Sequence, residues 1–319
     1  MSNAVATAIY PAAWLHTWTW QGMEVAFVKT PWGNDSNLSD QPSSVVMIHG
    51  FGACKEHWRH NANVLGADRQ VYALDLIGFG ASAKPRSRLI DEPENDGWLY
   101  GIDSWAAQVR DFVLQHIEGP VQLVGNSIGG VVALNAARLL EETHKPARQV
   151  ILIDCAQRAL DDKRLAEQPP FRRWGRPALK ACVRQRWLTN ALFKTLARPG
   201  VIRRVLLQAY PSGRNVDDEL VNLLLHPALE PGASEAFRGF INLFKDRLAP
   251  DLLKTIHTPV AMLWGERDPW EPVDVAIQWQ QLETVKSLDV LPGLGHCPHD
   301  EDPTLLNSFM ARLMQQGDS

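Results

Sequence analysis

The residue types most capable of chemistry lie in the segment Gly125-Asn126-Ser127-Ile128-Gly129, where a serine stands between two glycines. The apolar run 121–124 before it predicts a buried strand, and apolar residues with helical spacing follow it. A serine on the sharp turn between a strand and a helix is held out toward substrate, beside the first N–H groups of the helix. Glycines on either side let the neighbouring backbones approach closely. The pattern predicts that Ser127 is a nucleophile.

A serine hydroxyl is a weak nucleophile at neutral pH, so it needs a neighbouring base and a group that orients that base. Asp268 and His296 each follow an apolar run that predicts a strand. The carboxyl ends of parallel strands meet at one edge of a sheet, where ligands bind. The order of the three residues along the chain is serine, acid, histidine, as this type of turn requires. The sequence therefore predicts a catalytic triad of Ser127, Asp268 and His296.

Alternatives stay open for both the acid and the base. Asp154 also follows a predicted strand and could supply the acid by the same geometry, and Glu266 lies two residues before Asp268. We favour Asp268 because it shares the last loops of the chain with His296. His299 is a weaker candidate for the base, since it lacks the glycine that immediately precedes His296.

A tetrahedral intermediate also needs two N–H donors aimed at its oxyanion. We assign the first to Ile128, which follows the predicted nucleophile, and the second to Phe51 in the loop after the apolar run 45–48. His49 begins that loop and could act as a base, but a histidine in this place more often holds the loop by hydrogen bonds. Four residues are assigned to the support of the loop and of the serine turn: His49, Gly50, Gly125 and Gly129.

Two further motifs could suggest a cofactor or a metal. Gly78-Phe79-Gly80 lacks the third glycine of a dinucleotide-binding loop. The run His299-Asp300-Glu301-Asp302 contains metal-ligand residue types, but we interpret it as the solvated beginning of the last helix, with Asp302-Pro303 as its cap region. The sequence therefore predicts neither a cofactor nor a metal ion.

The elements that position these residues alternate along both ends of the chain. Strands are predicted at 18–20, 25–28, 45–48, 71–74, 121–124, 150–153, 260–264 and 287–291, and helices at 57–65, 102–117, 273–281 and 304–314. This alternation predicts an α/β fold with a mostly parallel, doubly wound sheet. From 156 to 250 the pattern is helical without a convincing strand. We therefore predict a core of residues 1–155 and 251–319 with a helical lid, 156–250, inserted after the sixth strand.

Composition argues against several classes of protein. The formal net charge is −4, which does not favour nucleic-acid binding. The four cysteines are far apart along the chain, which indicates a reducing compartment rather than a disulfide framework. The sequence shows no signal-peptide pattern and no run of about 20 apolar residues. We expect a cytoplasmic protein.

The predicted lid differs from the rest of the chain in charge. It holds 17 of the 32 Lys and Arg residues and 9 of the 36 Asp and Glu residues, so its net charge is +8. Its segment 171–194 interleaves bases with Trp174, Trp187 and Phe193. A basic, aromatic helix can lie on an anionic membrane surface. The alternative is a helix that packs its apolar face on the core while its bases face water.

Together these motifs resemble the α/β-hydrolase fold family, over about residues 20–155 and 255–315. The resemblance rests on five segments: His49-Gly50-Phe51-Gly52, Asp75-Leu76-Ile77-Gly78-Phe79-Gly80-Ala81-Ser82, Gly125-Asn126-Ser127-Ile128-Gly129-Gly130, Trp264-Gly265-Glu266-Arg267-Asp268 and Gly293-Leu294-Gly295-His296. More narrowly, segments 264–272 and 295–300 resemble plant and cyanobacterial hydrolases of the pheophytinase and chlorophyll-dephytylase type. Those enzymes cleave the phytyl ester of chlorophyll pigments. The resemblance implies the serine triad, a helical lid, a hydrophobic ester substrate and, for a cyanobacterial protein, the thylakoid surface.

Several functions are compatible with these residues. A serine nucleophile argues against haloalkane dehalogenases and epoxide hydrolases, whose similar turns carry Asp. It leaves a generic carboxylesterase or lipase and a C–C bond hydrolase with the same triad as alternatives to pigment ester cleavage. A small-molecule receptor that retains the triad is the alternative outside the enzymes. Slow or single-turnover hydrolysis with tight ligand retention would distinguish a receptor.

Overall fold

An eight-stranded sheet forms the centre of the protein. The computed structural model describes residues 9–32, 42–159, 161–167 and 170–318. The strands are β1 (Leu15–Trp20), β2 (Met23–Lys29), β3 (Ser44–Ile48), β4 (Val71–Leu74), β5 (Val121–Asn126), β6 (Gln149–Ile153), β7 (Val260–Gly265) and β8 (Val285–Leu291). Their order across the sheet is β1-β2-β4-β3-β5-β6-β7-β8. β2 pairs antiparallel with β1 and β4, and the remaining pairs are parallel. The predicted mostly parallel sheet is confirmed.

Helices cover both faces of the sheet, which explains why its central strands are apolar without alternation. Every residue of β5, β6 and β7 is buried. On one face, α2 (Ile102–His116) and α3 (Ile128–Glu141) contribute side chains such as Trp105 and Leu134 to the core. On the other face, α1 (Ala62–Leu65) and α12 (Pro303–Asp318) contribute Leu65 and Met310. The doubly wound arrangement predicted from the sequence is therefore confirmed.

Between β6 and β7 the chain forms helices, and we call residues 156–250 the insertion. Its helices are α4 (Pro170–Arg184), α5 (Arg186–Leu196), α6 (Pro199–Ala209), α7 (Asp218–Leu229), α8 (Ala233–Ile241) and the beginning of α9 (Ala249–Leu253). The remaining helices, α10 (Val273–Trp279) and α11 (Pro298–Glu301), belong to the last part of the chain. Two short strands, Ser87–Arg88 and Trp98–Leu99, pair apart from the main sheet.

The helix predicted over 57–65 is wrong in its first half. The segment forms a short 3₁₀ helix, Lys55–Trp58, and the four-residue helix α1. A continuous helix would distribute these side chains around its axis. Here hydrogen bonds to distant parts of the chain hold them toward the core instead. Asn61 donates from Nδ2 to the His299 carbonyl at 2.9 Å and to Asn307 Oδ1 at 2.8 Å, and it is completely buried. These tertiary contacts override the helical spacing.

Candidate active site

Ser127 lies between the end of β5 and the beginning of α3. Its backbone has φ 55° and ψ −124°, a conformation that L-residues adopt only where surrounding contacts enforce it. A Cβ on Gly125 would lie 2.3 Å from the Gly129 carbonyl oxygen, and a Cβ on Gly129 would lie 2.4 Å from the Ile48 carbonyl oxygen. The two glycines therefore let strand, turn and helix meet at this point. The turn is the sharp one that the sequence predicts.

Asp268 and His296 are joined by a hydrogen bond. His296 Nδ1 lies 2.7 Å from Asp268 Oδ2, and both side chains are almost completely buried. A carboxylate only accepts hydrogen bonds, so Nδ1 donates and Nε2 is the nitrogen that can take a proton. The other carboxylate oxygen accepts from the backbone N–H of Trp270 at 2.8 Å and of Glu271 at 3.1 Å. These contacts fix the carboxylate that orients the imidazole.

The alternative acids occupy other positions. Asp154 is buried behind Asp268, where its Oδ1 accepts from the Gly265 N–H at 2.8 Å. Burial, and then the charge of Asp268, raise the pKa of Asp154 well above its usual value. Glu266 accepts from the Gly293 N–H at the surface. Asp268 is thus the carboxylate in contact with His296, and Asp154 lies behind it.

The loop assigned to the oxyanion site lies against the serine turn. A Cβ on Gly50 would come within 3.2 Å of Ser127 Cβ, so the next residue, Phe51, begins beside the serine. Ile128 is the first residue of α3, and its N–H is one of the donors that a helix leaves unpaired. Phe51 and Ser127 line the same cavity. Their roles as oxyanion donors stay predictions.

His49 holds this loop. Its Nε2 accepts from the Leu76 N–H at 3.1 Å, and its Nδ1 therefore donates to the Gly50 carbonyl at 2.7 Å. Burial lowers the pKa of His49, which keeps the ring neutral. Because both nitrogens are engaged, His49 supports the loop and has no nitrogen left for the Ser127 proton.

Asn126 is a site residue that the sequence analysis did not single out. Its Nδ2 donates to the His296 carbonyl at 3.0 Å and to the Ile153 carbonyl at 3.2 Å. The residue before the serine thereby ties the histidine loop to the sheet. The sequence does contain a signal for this role, because Asn126 is a polar residue at the end of a mostly apolar strand.

An apolar cavity of about 500 Å³ lies over Ser127. His296, Trp270 and Phe51 form its core side. The insertion supplies its other walls with apolar side chains from α5, α6, α7 and α8, including Phe193, Leu196, Ile202, Val205, Leu224 and Phe237. Phe51 also stacks on Phe240 of α8, with ring centroids 3.8 Å apart. The geometry suits an apolar group attached to the atom that Ser127 would attack.

A second buried cluster lies on the cavity wall. His57 lines the cavity, and its Nε2 lies 2.8 Å from the hydroxyl of Tyr210, which in turn donates to Asp300 Oδ2 at 2.9 Å. Arg59 pairs with Asp300 Oδ1 at 2.7 Å. His299 Nε2 lies 3.3 Å from His57 Nδ1. This cluster connects the insertion, through Tyr210, to two separate parts of the core.

The sequence interpretation of 299–302 as a solvated helix start is wrong for its first three residues. His299, Asp300 and Glu301 are each buried. His299 packs on Trp58 of the core, whereas Asp300 and Glu301 bind Tyr210 and Ser212 of the insertion. Glu301 Oε1 accepts from the backbone and hydroxyl of Ser212, and its Oε2 accepts from the Gly295 N–H. Asp300 and Glu301 thus attach the end of α6 and the loop after it to the core.

Neither a metal centre nor a membrane span is found in the part of the chain that the structure describes. No three of its His, Cys, Asp and Glu side chains are grouped so as to hold a metal ion. None of its helices combines the length and the apolar character needed to cross a bilayer.

Comparisons with known proteins identify the family of the chain. The alpha/beta hydrolase family matches residues 45–309. Pheophytinase from Arabidopsis thaliana is 26% identical over 308 residues, covering 85% of this chain but 60% of its own length. The 2-hydroxy-6-oxo-6-(2'-aminophenyl)hexa-2,4-dienoic acid hydrolase of Metapseudomonas resinovorans is 24% identical over 286 residues, covering 86% and 85% of the two chains. A solved thermophilic esterase from Thermogutta terrifontis superposes with a TM-score of 0.67 at 19% identity, covering 96% and 99%. The chain therefore belongs to the alpha/beta hydrolase family.

Proposed function

We propose that the protein is a serine hydrolase that cleaves a hydrophobic carboxylic ester through an acyl-enzyme. The observation that carries this proposal is the His296–Asp268 pair, 2.7 Å apart, on the core side of the apolar cavity that Ser127 also lines. A nucleophile, an oriented base and an apolar binding space are the three parts such a reaction needs.

Each residue of the site has one role in the proposed reaction. His296 Nε2 takes the Ser127 proton while Oγ attacks the ester carbonyl, and the Phe51 and Ile128 N–H groups bind the oxyanion. His296 then gives the proton to the leaving alcohol, which leaves the acyl group on Ser127. A water molecule, deprotonated by the same imidazole, hydrolyses the acyl-enzyme. Asp268 holds the imidazole and stabilises its positive charge throughout.

Replacement of the serine tests the proposal directly. Ser127→Ala should lower kcat for p-nitrophenyl esters by about 10⁶-fold, because the nucleophile and its base act as a unit. Ser308→Ala, an exposed serine on α12, is the matched control and should keep full activity. Unchanged turnover in Ser127→Ala would refute the assignment. Across a series of acyl chains, kcat/KM should rise with chain length because the cavity is apolar.

We propose the phytyl ester of a chlorophyll-type pigment as the substrate to examine first. The likeness to pheophytinase and the apolar cavity support this choice. The likeness to a hydrolase named for a 2-hydroxy-6-oxo-dienoic acid supports C–C bond cleavage as the second candidate. Mass spectrometry after incubation with pigment, lipid and short-chain esters and with such a dienoic acid separates the two, with Ser127→Ala as the blank. Release of phytol supports the first candidate, and cleavage of the dienoic acid alone supports the second.

We also propose that the insertion contacts an anionic membrane surface. Trp174 and Trp187 are 83% and 71% exposed, which is unusual for tryptophan. Lys194 and Arg198 are exposed nearby in sequence and form no ion pair within the described residues. The bases of α4 contribute less, because Arg176, Lys180 and Arg184 pair with acidic side chains of the protein; the side chains of 171–173 lie outside the described residues.

Sedimentation with liposomes tests this membrane proposal. Binding to phosphatidylserine-rich vesicles at low salt should fall several-fold in Trp187→Ser, because an interfacial aromatic side chain is lost. Val64→Ser removes an exposed apolar side chain of the core and should bind as the wild type does. Equal sedimentation of both variants, or none of the wild type, would contradict the proposal.

A further inference from the structure

Glu271 lines the cavity in the loop after β7, close to the predicted triad. Its backbone N–H donates to Asp268 Oδ1 at 3.1 Å, and its backbone carbonyl accepts from the Trp264 indole at 2.8 Å. Its side-chain Oε2 accepts from the backbone N–H of Gln157 at 2.8 Å. Three contacts thus hold the residue in one place, so its carboxyl group has a fixed position beside the site.

The second side-chain oxygen of Glu271 is uncommitted. Oε1 has no hydrogen-bond partner among the described residues. It is also absent from the side-chain atoms that are both unpaired and inaccessible to solvent, so part of its surface stays accessible. His57 also lines the cavity, but its ring nitrogens already face Tyr210 and His299. Within the described lining, Glu271 therefore offers a polar side-chain atom that neither the fold nor the proposed reaction uses.

Burial affects the protonation of Glu271 more than the charges around it do. Burial raises its pKa to about 8, and the charge of Asp268 adds to the rise. Asp154 and Cys155 face the same group from the end of β6, while Arg158 and Arg164 act in the opposite direction. A protonated carboxyl is a hydrogen-bond donor, and an ionised one only accepts.

We propose that Glu271 is a specificity-determining residue, which donates a hydrogen bond to a carbonyl carried by the substrate in addition to the one that Ser127 attacks. The inference rests on the proposed function for the reaction, and it narrows the substrate to hydrophobic esters with a second carbonyl group. The donor stands in a mostly apolar cavity, where a polar group without a partner loses free energy. Ligands that carry the carbonyl are therefore preferred over equally large ligands that lack it.

Binding to the Ser127→Ala protein tests this inference without turnover. Hexanophenone and hexylbenzene have the same carbon framework and differ at one carbonyl, and quenching of tryptophan fluorescence reports their affinity. At pH 7 the Ser127→Ala protein should prefer the ketone by about tenfold. Adding Glu271→Leu should remove the preference. Adding Glu271→Gln should keep it, because the amide nitrogen donates to the ligand while the amide oxygen accepts from the Gln157 N–H.

A pH series separates recognition from a structural role. Glu271 loses its proton above about pH 8, so the preference for the ketone should fall between pH 7 and pH 9.5. Glu271→Gln does not titrate and should keep the preference at both values. Other titrating groups are the same in the two proteins, so a difference in pH dependence between them reports Glu271. This comparison stands even where Glu271→Leu fails to fold.

Three results would overturn the inference: no preference for the ketone at pH 7, an unchanged preference in folded Glu271→Leu, or the same pH dependence in Glu271→Gln. Its failure is distinct from failure of the proposed function. Absence of ester turnover by the wild-type protein would reject the reaction, whereas equal affinity for the two ligands would reject the role of Glu271.

Discussion

Two histidine–carboxylate clusters lie on the wall of one cavity, and they use the same residue types differently. His296 bonds Asp268 directly through Nδ1, so its Nε2 stays available for a proton. His57 lies across Tyr210 from Asp300, and its second nitrogen faces His299. The first cluster leaves Nε2 of His296 free on the cavity that Ser127 also lines, whereas both ring nitrogens of His57 in the second cluster are engaged.

The comparison shows that residue type alone does not mark a base. Burial lowers the pKa of His57 well below its usual value, which keeps it neutral and hydrogen-bonded. Its cluster joins the 3₁₀ helix Lys55–Trp58, the end of α6 and the short helix α11. We infer that this second cluster positions the insertion over the cavity, whereas the first is the pair to which the proposed reaction assigns proton transfer.

The largest expected difference between the clusters is in catalysis. Asp268→Asn should lower kcat by about 10⁴-fold, because the amide no longer fixes the imidazole tautomer or stabilises its positive charge. Asp300→Asn should leave kcat per folded molecule within about tenfold, since Asp300 touches no proposed catalytic group. Rates are measured with a p-nitrophenyl ester and divided by the folded fraction from circular dichroism. Equal losses of kcat in both variants would contradict the division of roles.

The next difference is in stability. Tyr210→Phe removes the hydroxyl between His57 and Asp300 and should lower the free energy of unfolding by about 3 kcal/mol, because two buried polar groups lose a partner. Tyr72→Phe is the matched control, with one hydroxyl contact of 3.3 Å to the His116 carbonyl, and it should cost about 1 kcal/mol or less. Denaturant titration of both variants measures the difference. Equal costs would show that the second cluster is not a special attachment.

The first cluster was predictable from the sequence because each of its parts follows a strand. Ser127, Asp268 and His296 lie in short Gly-containing segments just after apolar runs, and parallel strands bring such segments together. The sheet itself was predictable for the same reason. The preference for Asp268 over Asp154 rested only on the loops that Asp268 shares with His296, since both carboxylates follow strands. The packed structure shows that Asp268 is the one in contact with the imidazole.

The second cluster was not predictable, because its members lie far apart and no periodic pattern relates them. His57 and Tyr210 are separated by 153 positions, and Tyr210 and Asp300 by 90. The charged run at 299–302 has the composition of a solvated segment, and its first three residues are buried by contacts with the core and with the insertion. Burial of a polar run by a distant helix depends on tertiary packing, which local composition does not report.

The smallest expected effect is on the pH dependence of stability. As the pH falls, titration of His299 should lower the free energy of unfolding, and titration of Asp300 should raise it. Burial lowers the pKa of His299 to about 3, so the unfolded chain binds a proton first as the pH falls below about 6.5. At pH 5 this should cost about 2 kcal/mol of unfolding free energy. Burial raises the pKa of Asp300 to about 6, so the folded chain binds that proton first and gains about 1 kcal/mol at pH 5.

Two variants separate these opposing contributions in denaturant titrations at pH 7 and pH 5. The stability lost between the two pH values should be about 2 kcal/mol smaller in His299→Gln than in the wild type, because no imidazole titrates there. It should be about 1 kcal/mol larger in Asp300→Asn, because the compensating carboxyl is gone. The difference between two pH values removes the constant cost of each substitution. Equal pH dependence in all three proteins would mean that His299 and Asp300 have the same pKa values in the folded and the unfolded chain. The role of the second cluster as a buried attachment would then be wrong.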